Sequence, residues 1–463
     1  MTTTAATGSA VSGFCDPRFE QVREQFERNF AERGELGASV CVVVNGEAVV
    51  DLWGGVANAA TGKPWERDTI NLVQSCSKGI TALCGHILID RGELNLDLPV
   101  AHYWPEFAQH GKQAITVRQV FSHQSGVAHV QGIVPIGGFS DWDLMIRLIE
   151  ETTPFWEPGT RTGYHALTFG WLIGELIRRI SGQRVGAFFR ENVGDPLDLD
   201  CWIGLPAEHE HRVARTEWFD IASELGMTAR AYGALTTPSS SAHKLIVAAL
   251  SIPPLRALLA RQMMRTMDAK KAIDPDAQSL PKQFVLDFLN PNSAAFKLVS
   301  NLGGWIDVGD EPAAHASEVP AAGAITNGRG LAGVYAPLSL GGEINGVRII
   351  GAEAITRMRY PQSVTDVDPC LGIRTAFTLG FSKSWPNRGA GNGLYIGEDA
   401  FGTPGLGGQV GFADPSYKLA FGYTMNRHGV GTGLNPRGES LVDATYRALG
   451  SPGREPGFWR RPS

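Results

Sequence analysis

The stretch Ile70-Asn71-Leu72-Val73-Gln74-Ser75-Cys76-Ser77-Lys78 joins a short apolar run to a helix-like pattern over residues 79–94. The apolar side chains of that pattern recur at helical spacing and predict one buried stripe: Ile80, Leu83, Cys84, Ile87 and Leu88. Ser75 stands at the start of this helix, and Lys78 follows three residues later on the same face of one turn. A desolvated, neutral amine there accepts the hydroxyl proton, which makes Ser75 a candidate nucleophile and Lys78 its candidate base. The alternative is a capping serine next to a solvated lysine.

The same serine-to-lysine spacing occurs twice more, so the surrounding sequence has to separate the three copies. Ser241-Ala242-His243-Lys244 follows a polar run and is typical of an ordinary loop and helix cap. Ser279-Leu280-Pro281-Lys282 contains a proline, which disfavours a continuous helical turn. Only Ser75 follows a predicted strand and begins a long amphipathic helix.

Composition limits the classes of function. The 463 residues are 43% hydrophobic and 19% charged, enough for a large buried core, and the formal net charge is −6. No Lys/Arg tract is clustered, which disfavours nucleic acid and anionic membranes as partners, and we expect small neutral substrates. No apolar stretch reaches the length of a membrane span, and the first residues do not resemble a signal peptide, so export is not expected.

Six cysteines are scattered without paired spacing: Cys15, Cys41, Cys76, Cys84, Cys201 and Cys370. This usage predicts reduced thiols in a cytoplasmic protein. Cys76 is an alternative nucleophile, but the residue after Ser75 points away from the face that Ser75 and Lys78 share. His209-Glu210-His211 resembles a metal site only superficially, because the two histidines share a face only in a strand and no third ligand is evident. We expect no metal and no cofactor.

The pattern along the chain begins with an amphipathic helix over residues 16–33, whose apolar face carries Phe19, Val22, Phe26 and Phe30. Two β-runs follow at residues 38–44 and 48–53, joined by the hairpin signal Asn45-Gly46. Helical patterns and loops then dominate to about residue 251, including the runs 116–121 and 168–180. Residues 252–301 are less regular and carry Met263, Met264 and Met267; they form either a lid or a plain helical insertion.

After Asn345-Gly346 the predicted strands return, at residues 347–350, 376–381, 409–413 and 419–425, before a final helix at 441–449. The fold class is therefore α+β, with an antiparallel sheet built from both chain ends, flanked by helices and interrupted by a mostly helical subdomain. We expect a single catalytic unit over 16–451. Its α/β part covers about 16–95 and 320–451, its helical subdomain about 96–319, and 1–15 and 452–463 are tails.

Two later segments complete the predicted site. Tyr164 lies on a loop between the turn-forming Pro158-Gly159-Thr160 and a helix that begins near Thr168. Beside a cationic lysine, partial deprotonation lets a tyrosine act as base toward Ser75 and then as acid toward the leaving group; the alternative is a tyrosine that only packs.

The glycine-rich run from Thr403 through Gly405 to Gln409 leads into a strand. Glycine permits close backbone approach, so an oxyanion hole can form from the Ser75 N–H and one N–H of this segment. A dinucleotide site is disfavoured, because Val410 stands where that motif needs glycine and a strand follows rather than a helix.

Three ordered motifs, with the tyrosine 89 residues after Ser75, make the chain resemble the serine β-lactamase superfamily. The similarity covers roughly residues 19–449, and these segments most resemble the family VIII carboxylesterases, relatives of class C β-lactamases and penicillin-binding proteins: Phe121-Ser122-His123-Gln124-Ser125-Gly126, Tyr164-His165-Ala166 and Gly411-Phe412-Ala413-Asp414-Pro415. The resemblance implies a β-lactamase-like fold. It also implies Ser75 as nucleophile, Lys78 and Tyr164 as proton-handling partners, and the Leu406 N–H as second oxyanion donor. In this pattern His123 is a structural loop residue rather than part of a Ser-His pair.

Two departures from that pattern bear on the substrate. Ala166 replaces the asparagine that contacts the substrate amide in lactamases, and Thr403 replaces the usual Lys or His. Without that cation the substrate carboxylate of a β-lactam lacks a partner, so an uncharged short-chain ester is favoured. The Gly-x-Ser-x-Gly elbow of α/β-hydrolases is absent from the sequence. The alternatives are an acyltransferase, a β-lactamase or a D-amino-acid peptidase at the same site, or a silent binding or scaffold protein. The oligomeric state is left open.

Overall fold

The computed structural model describes residues 11–219, 228–273, 282–385, 393–429, 431, 433–455 and 458–460. Its strands, in chain order, are β1 (Ser12–Cys15), β2 (Gly37–Val44), β3 (Glu47–Asn58), β4 (Lys63–Pro64), β5 (Asn71–Leu72), β6 (Cys201–Ile203), β7 (Ala324–Thr326), β8 (Glu343–Ile344), β9 (Val347–Arg348), β10 (Ser363–Thr365), β11 (Thr375–Phe377), β12 (Phe401–Gly405), β13 (Gln409–Asp414), β14 (Leu419–Met425), β15 (Arg454–Glu455) and β16 (Phe458–Trp459).

The main sheet runs in the order β1-β3-β2-β14-β13-β12, with β4 attached to β3. All of its pairings are antiparallel. At its centre β2 from the first part of the chain pairs with β14 from the last part, from Val44 opposite Leu419 to Ala38 opposite Met425. The prediction of an antiparallel sheet built from both chain ends is confirmed.

The hairpin between β2 and β3 turns at Asn45 and Gly46, whose φ angles are 52° and 87°. Left-handed values at both positions are those of the two-residue turn that asparagine followed by glycine favours. Asn345-Gly346 makes the same kind of turn between β8 and β9, with φ angles of 52° and 79°. The predicted hairpin at Asn45-Gly46 is confirmed, and the turn signal Asn345-Gly346 also lies between two paired strands.

The helices are α1 (Glu20–Glu32), α2 (Ser77–Asp90), α3 (Val100–Tyr103), α4 (Val117–Phe121), α5 (Trp142–Glu151), α6 (Thr168–Ser181), α7 (Val185–Phe189), α8 (Ala229–Thr236), α9 (Ser241–Leu250), α10 (Pro253–Ile273), α11 (Lys282–Phe288), α12 (Ala294–Ser300), α13 (Trp305–Val308), α14 (Pro312–His315), α15 (Gly328–Ser339), α16 (Ala352–Arg359) and α17 (Pro436–Ala448). Those from α3 to α14 lie in the part of the chain for which a mostly helical subdomain was predicted. A short strand, β6, also lies there and pairs with β7, which in turn pairs with β5.

The sheet separates two hydrophobic cores. Along β2, Val40 and Val42 belong to one core, whereas Cys41 and Val43 belong to the other. The first core contains α1 and α17, which pack against each other. The second contains α2, α6 and α15. Because α2 packs against α6 and β12, the helix that begins beside Ser75 is held between the sheet and the helical subdomain.

The chain termini differ from the expected tails. Residues Ser12–Cys15 pair along β3 as an edge strand, and Trp459 of β16 is only 2% exposed in the core beside α17. The prediction of tails over 1–15 and 452–463 is therefore wrong for these stretches, because backbone pairing and a buried indole hold them. Phe14, the one large apolar side chain of β1, is 56% exposed, so its burial does not stabilise this strand, whereas Cys15 packs partly buried against the core.

Residues 252–301 form helices in their described part. Met263 of α10 packs against a small core that contains Phe284 and Phe288 of α11, as predicted for a plain helical insertion. The Met267 side chain lies outside the described residues, as do Ser279 and Pro281 of the third serine-to-lysine copy. In the second copy Lys244 is exposed, and Ser240 caps α9 by accepting the His243 N–H at 3.0 Å.

Where the structure describes the chain, no single helix is both long and apolar enough for a bilayer span. The pair Ser241–Leu250 and Pro253–Thr266 meets that criterion only when the two helices, bent by 95°, are taken together. All six cysteines are free thiols.

Candidate active site

Ser75 lies in a tight turn, Gln74–Cys76, between β5 and α2. Gln74 has a φ of 48°, which is unusual for a residue other than glycine and holds the turn sharply bent. Its side-chain oxygen accepts the Trp305 indole N–H at 3.2 Å. Ser77 ties the turn to β7, because its hydroxyl accepts the Ala324 N–H at 2.9 Å and donates to the Gln74 carbonyl at 2.5 Å. The nucleophile candidate thus sits on a rigid support.

Lys78 lies one helical turn further on and is 2% exposed. Its Nζ is 2.9 Å from Ser75 Oγ and donates to the Ala321 carbonyl at 3.0 Å. Burial lowers the pKa of this amine to about 7. No carboxylate in the described part of the chain forms an ion pair with it. A substantial neutral fraction therefore exists at neutral pH, as proton abstraction from Ser75 requires.

Tyr164 approaches Ser75 from the loop before α6, and its hydroxyl donates to Ser75 Oγ at 2.9 Å. Its ring stacks on Phe377 with centroids 5.9 Å apart, and Lys78 Nζ lies 4.8 Å from the ring centroid. Burial raises the pKa of this phenol above its ordinary value. The expectation of a partly deprotonated tyrosine beside a cationic lysine is therefore wrong: Lys78 loses its proton readily, and Tyr164 keeps its own.

The glycine-rich segment comes close to the nucleophile turn. A Cβ at Gly405, the last residue of β12, would lie 2.6 Å from the Val73 carbonyl oxygen, so only glycine fits there. Leu406 follows in the turn to β13. Among the described residues no acceptor is hydrogen-bonded to the backbone N–H of Ser75 or of Leu406. The structure leaves both predicted oxyanion donors unused.

Thr403 is buried, and its hydroxyl is already engaged. It lies 2.8 Å from the Tyr335 hydroxyl and donates to the Cys76 carbonyl at 3.3 Å. The Cys76 thiol donates to the Thr403 carbonyl at 3.3 Å, and burial raises its pKa, which disfavours a thiolate nucleophile.

The pocket at Ser75 is lined by Ser75, Lys78, His123, Tyr164, Leu371, Gly380, Phe381, Ser382, Trp385, Thr403 and Pro404. Of these described lining residues, Lys78 is the only lysine or arginine. Position 403, where the related family usually has Lys or His, thus carries a neutral threonine side chain. Ala166, at the position of the missing asparagine, packs on the core that contains α2 and α6.

The backbone around Tyr164 is held by residues that the sequence patterns did not identify as functional. The Tyr164 N–H donates to Asp368, with Oδ2 at 2.9 Å. On its two sides, the Gly163 N–H donates to the His123 carbonyl and the His165 N–H to His123 Nδ1, both at 3.1 Å. His123 therefore supports the tyrosine loop, and burial lowers its pKa well below the ordinary value. The sequence gives no sign that Asp368 supports the site, because the Tyr164 N–H that it accepts lies 204 residues away in the sequence.

The His209-Glu210-His211 run serves other contacts. The His209 ring packs at a tilt against Trp202 with centroids 4.6 Å apart, and both Glu210 carboxylate oxygens lie 3.1 Å from His315 Nδ1. His211 Nδ1 lies 2.8 Å from the Glu208 carbonyl. In the described residues no three His, Cys, Asp or Glu side chains are grouped to hold a metal ion.

Comparison with known proteins identifies several that are similar to this chain in sequence and in structure. The beta-lactamase family model matches residues 23–444. Esterase/beta-lactamase LipL of Mycobacterium tuberculosis is 31% identical over 428 residues, which cover 91% of this chain and 84% of LipL. A solved family VIII carboxylesterase is 33% identical, with a TM-score of 0.71 and coverage of 95% of this chain and 100% of that one. A penicillin-binding protein homologue from Caulobacter crescentus is 30% identical, with a TM-score of 0.73 and the same coverage.

Proposed function

Because this chain belongs to the beta-lactamase family and is a serine hydrolase of that superfamily, we propose that it hydrolyses short-chain carboxylic esters through an acyl-enzyme on Ser75. The observation that carries the proposal is the convergence of Lys78 Nζ and the Tyr164 hydroxyl on Ser75 Oγ, each at 2.9 Å. Such a pair of proton-handling groups serves acyl transfer without a histidine.

Acylation begins with the neutral Lys78 amine. The Ser75 hydroxyl gives its proton to Nζ while Oγ attacks the ester carbonyl carbon, and the Tyr164 O–H supports the attacking oxygen. The negative charge that develops on the carbonyl oxygen is stabilised by the N–H groups of Ser75 and Leu406. When the tetrahedral intermediate collapses, the ester C–O bond breaks. The alkoxide takes the proton from Lys78, with the Tyr164 hydroxyl positioned as the relay, and leaves as alcohol.

Deacylation uses the same groups with water as nucleophile. Water gives a proton to the regenerated Lys78 amine and attacks the acyl carbon, and the same two N–H groups stabilise the second oxyanion. Collapse breaks the bond to Ser75 Oγ, which recovers its proton from Lys78. The carboxylic acid is released, and the free enzyme is restored.

The pocket supports an uncharged ester over a β-lactam. A penicillin or cephalosporin carries a carboxylate, which is bound best by a cation in a charge-assisted hydrogen bond. Thr403 offers no charge, and its hydroxyl is engaged by Tyr335 and the Cys76 carbonyl. Leu371, Phe381 and Trp385 give the pocket an apolar wall suited to a small acyl group.

The test is hydrolysis of p-nitrophenyl butyrate by the wild-type protein, with nitrocefin as the β-lactam substrate in parallel. We expect ester turnover with a much lower rate on nitrocefin. Ser75→Ala is the test variant. Its matched control is Ser241→Ala, which alters the serine of the second, exposed serine-to-lysine copy. Ser75→Ala abolishes ester turnover and Ser241→Ala leaves it unchanged. Efficient nitrocefin turnover, or ester turnover that survives Ser75→Ala, would contradict the proposal.

A further inference from the structure

Asp368 is a fully buried carboxylate close to the site but outside the catalytic groups. Its Oδ1 accepts the backbone N–H groups of Cys370 at 2.8 Å and Leu371 at 3.2 Å. Its Oδ2 accepts the Tyr164 N–H at 2.9 Å and the Thr375 hydroxyl at 3.1 Å, and the same Tyr164 N–H also lies 3.1 Å from Oδ1. One side chain thus joins the loop of the tyrosine to the loop that forms the pocket wall at Leu371.

Burying a carboxylate without a cation is costly, and the structure retains one here. No Lys or Arg in the described part of the chain forms an ion pair with Asp368. Burial raises its pKa to about 6, while the hydrogen bonds from Cys370, Tyr164, Leu371 and Thr375 act in the opposite direction. The charge is therefore held by neutral donors alone, and each of these donors gains a strong, charge-assisted hydrogen bond.

The hydrogen bond from the Tyr164 N–H to Asp368 lies directly beside the proposed catalytic phenol, where a displacement has a large effect on the reaction rate. His123 holds the N–H groups of the residues on both sides of the tyrosine, and Asp368 holds the tyrosine's own. Without Asp368 the Tyr164 N–H loses its acceptor, and the phenol is held less tightly against Ser75 Oγ. A displacement of about 1 Å in a catalytic group costs up to roughly 100-fold in rate.

We propose that Asp368 is a positioning residue, whose carboxylate fixes the Tyr164 backbone so that the phenol reaches Ser75. The inference rests on the proposed ester hydrolysis. Asp368 does not touch the reacting atoms; it acts through Tyr164.

The test variant is Asp368→Asn. Its amide retains one oxygen, whereas its NH2 group must face either the Tyr164 N–H or the N–H groups of Cys370 and Leu371, all of which are donors. We expect kcat for p-nitrophenyl butyrate to fall by roughly 10- to 100-fold with KM changed less than about 3-fold. Thr375→Val is the matched control, because it removes one donor to the same carboxylate and leaves the Tyr164 contact in place. It keeps kcat within about 3-fold of the wild-type value.

A double-mutant cycle separates positioning from general loss of structure. If Asp368 acts through the phenol, Asp368→Asn lowers kcat by less than about 2-fold in a Tyr164→Phe background. A full loss of rate in that background would overturn the inference, as would equal losses of kcat in Asp368→Asn and Thr375→Val.

Failure of the proposed reaction is recognised separately. If the wild-type protein hydrolyses no ester but a fluorophosphonate labels Ser75, the ester proposal fails and the labelling rate replaces kcat in the same cycle. If neither reaction occurs, both the proposed function and the role of Asp368 are wrong.

Discussion

The Tyr335 hydroxyl lies 2.8 Å from Thr403 Oγ1, deep between α15 and β12. Tyr335 is fully buried, and a Cβ on the neighbouring Gly79 would come within 2.1 Å of its oxygen. The threonine therefore has a structural partner directly beneath the first turn of α2, which carries Lys78. A residue that departs from the family pattern is thus integrated into the support of the site.

Thr403→Val removes this hydrogen bond with little change in shape. We expect the free energy of unfolding to fall by about 1–2 kcal/mol, because the buried Tyr335 hydroxyl loses its threonine partner. Urea denaturation measures the change. Thr403→Ser is the control, since it keeps the hydroxyl; a valine variant at least as stable as the serine variant would contradict this account.

The pKa of Lys78 sets the acid limb of the activity. Burial lowers that pKa to about 7, and only the neutral amine accepts the Ser75 proton. We expect kcat/KM for p-nitrophenyl butyrate to rise with pH up to about 7 and then to level off. Lys78→Met removes turnover at every pH, whereas Lys244→Met, in the exposed second copy, leaves the profile unchanged. Activity that is independent of pH between 5 and 8 would exclude Lys78 as the base.

Tyr164→Phe removes the hydroxyl that donates to Ser75 Oγ. Loss of one proton-handling group lowers kcat by roughly 100- to 10,000-fold, with a smaller effect on KM. Steady-state kinetics of the purified variant measure both constants. Tyr360→Phe is the control, because Tyr360 is 56% exposed. Full turnover by Tyr164→Phe would show that Lys78 suffices alone.

His315 makes stability depend on pH. Burial lowers its pKa, but the Glu210 carboxylate at 3.1 Å and the Asp310 carboxylate at 3.4 Å outweigh burial, so the pKa is raised. A group with a raised folded-state pKa contributes stability that is fully present below its unfolded pKa, about 6.5, and is lost as pH rises through the folded value. We expect the difference in free energy of unfolding between wild type and His315→Gln to be larger at pH 6 than at pH 9. A difference that grows toward pH 9 would have the wrong sign.

The features that were predictable from the sequence depend on local signals. Asn45-Gly46 fixes a hairpin through the backbone preferences of two adjacent residues. The apolar spacing after Ser75 predicts the helix α2, but the prediction of a single buried stripe is wrong, because residues 77–88 are buried on every side of the helix between the sheet and the helical subdomain. Ser75 and Lys78 lie within one helical turn, so their contact follows from spacing alone. Tyr164 was found because loop placement and its order along the chain agree with a known set of motifs.

The features that the sequence did not predict depend on contacts between segments that are far apart along the chain. Asp368 and Tyr164 are 204 residues apart, and Tyr335 and Thr403 are 68 apart, so neither pair leaves a periodic pattern. The predicted protonation state of Tyr164 is wrong, because it depends on how deeply the folded protein buries both this tyrosine and the neighbouring Lys78. The strand β1 was missed since its main apolar side chain, Phe14, faces solvent.

The central claim is that Ser75 becomes acylated during turnover. We would quench the wild-type protein with acid during hydrolysis of p-nitrophenyl butyrate and map the butyryl group by tandem mass spectrometry of the tryptic peptide 68–78. That peptide also contains Cys76 and Ser77, so fragment ions decide among the three. We predict the butyryl group on Ser75 and its absence in Ser75→Ala. A butyryl group on Cys76 or Ser77 instead of Ser75 would contradict the account.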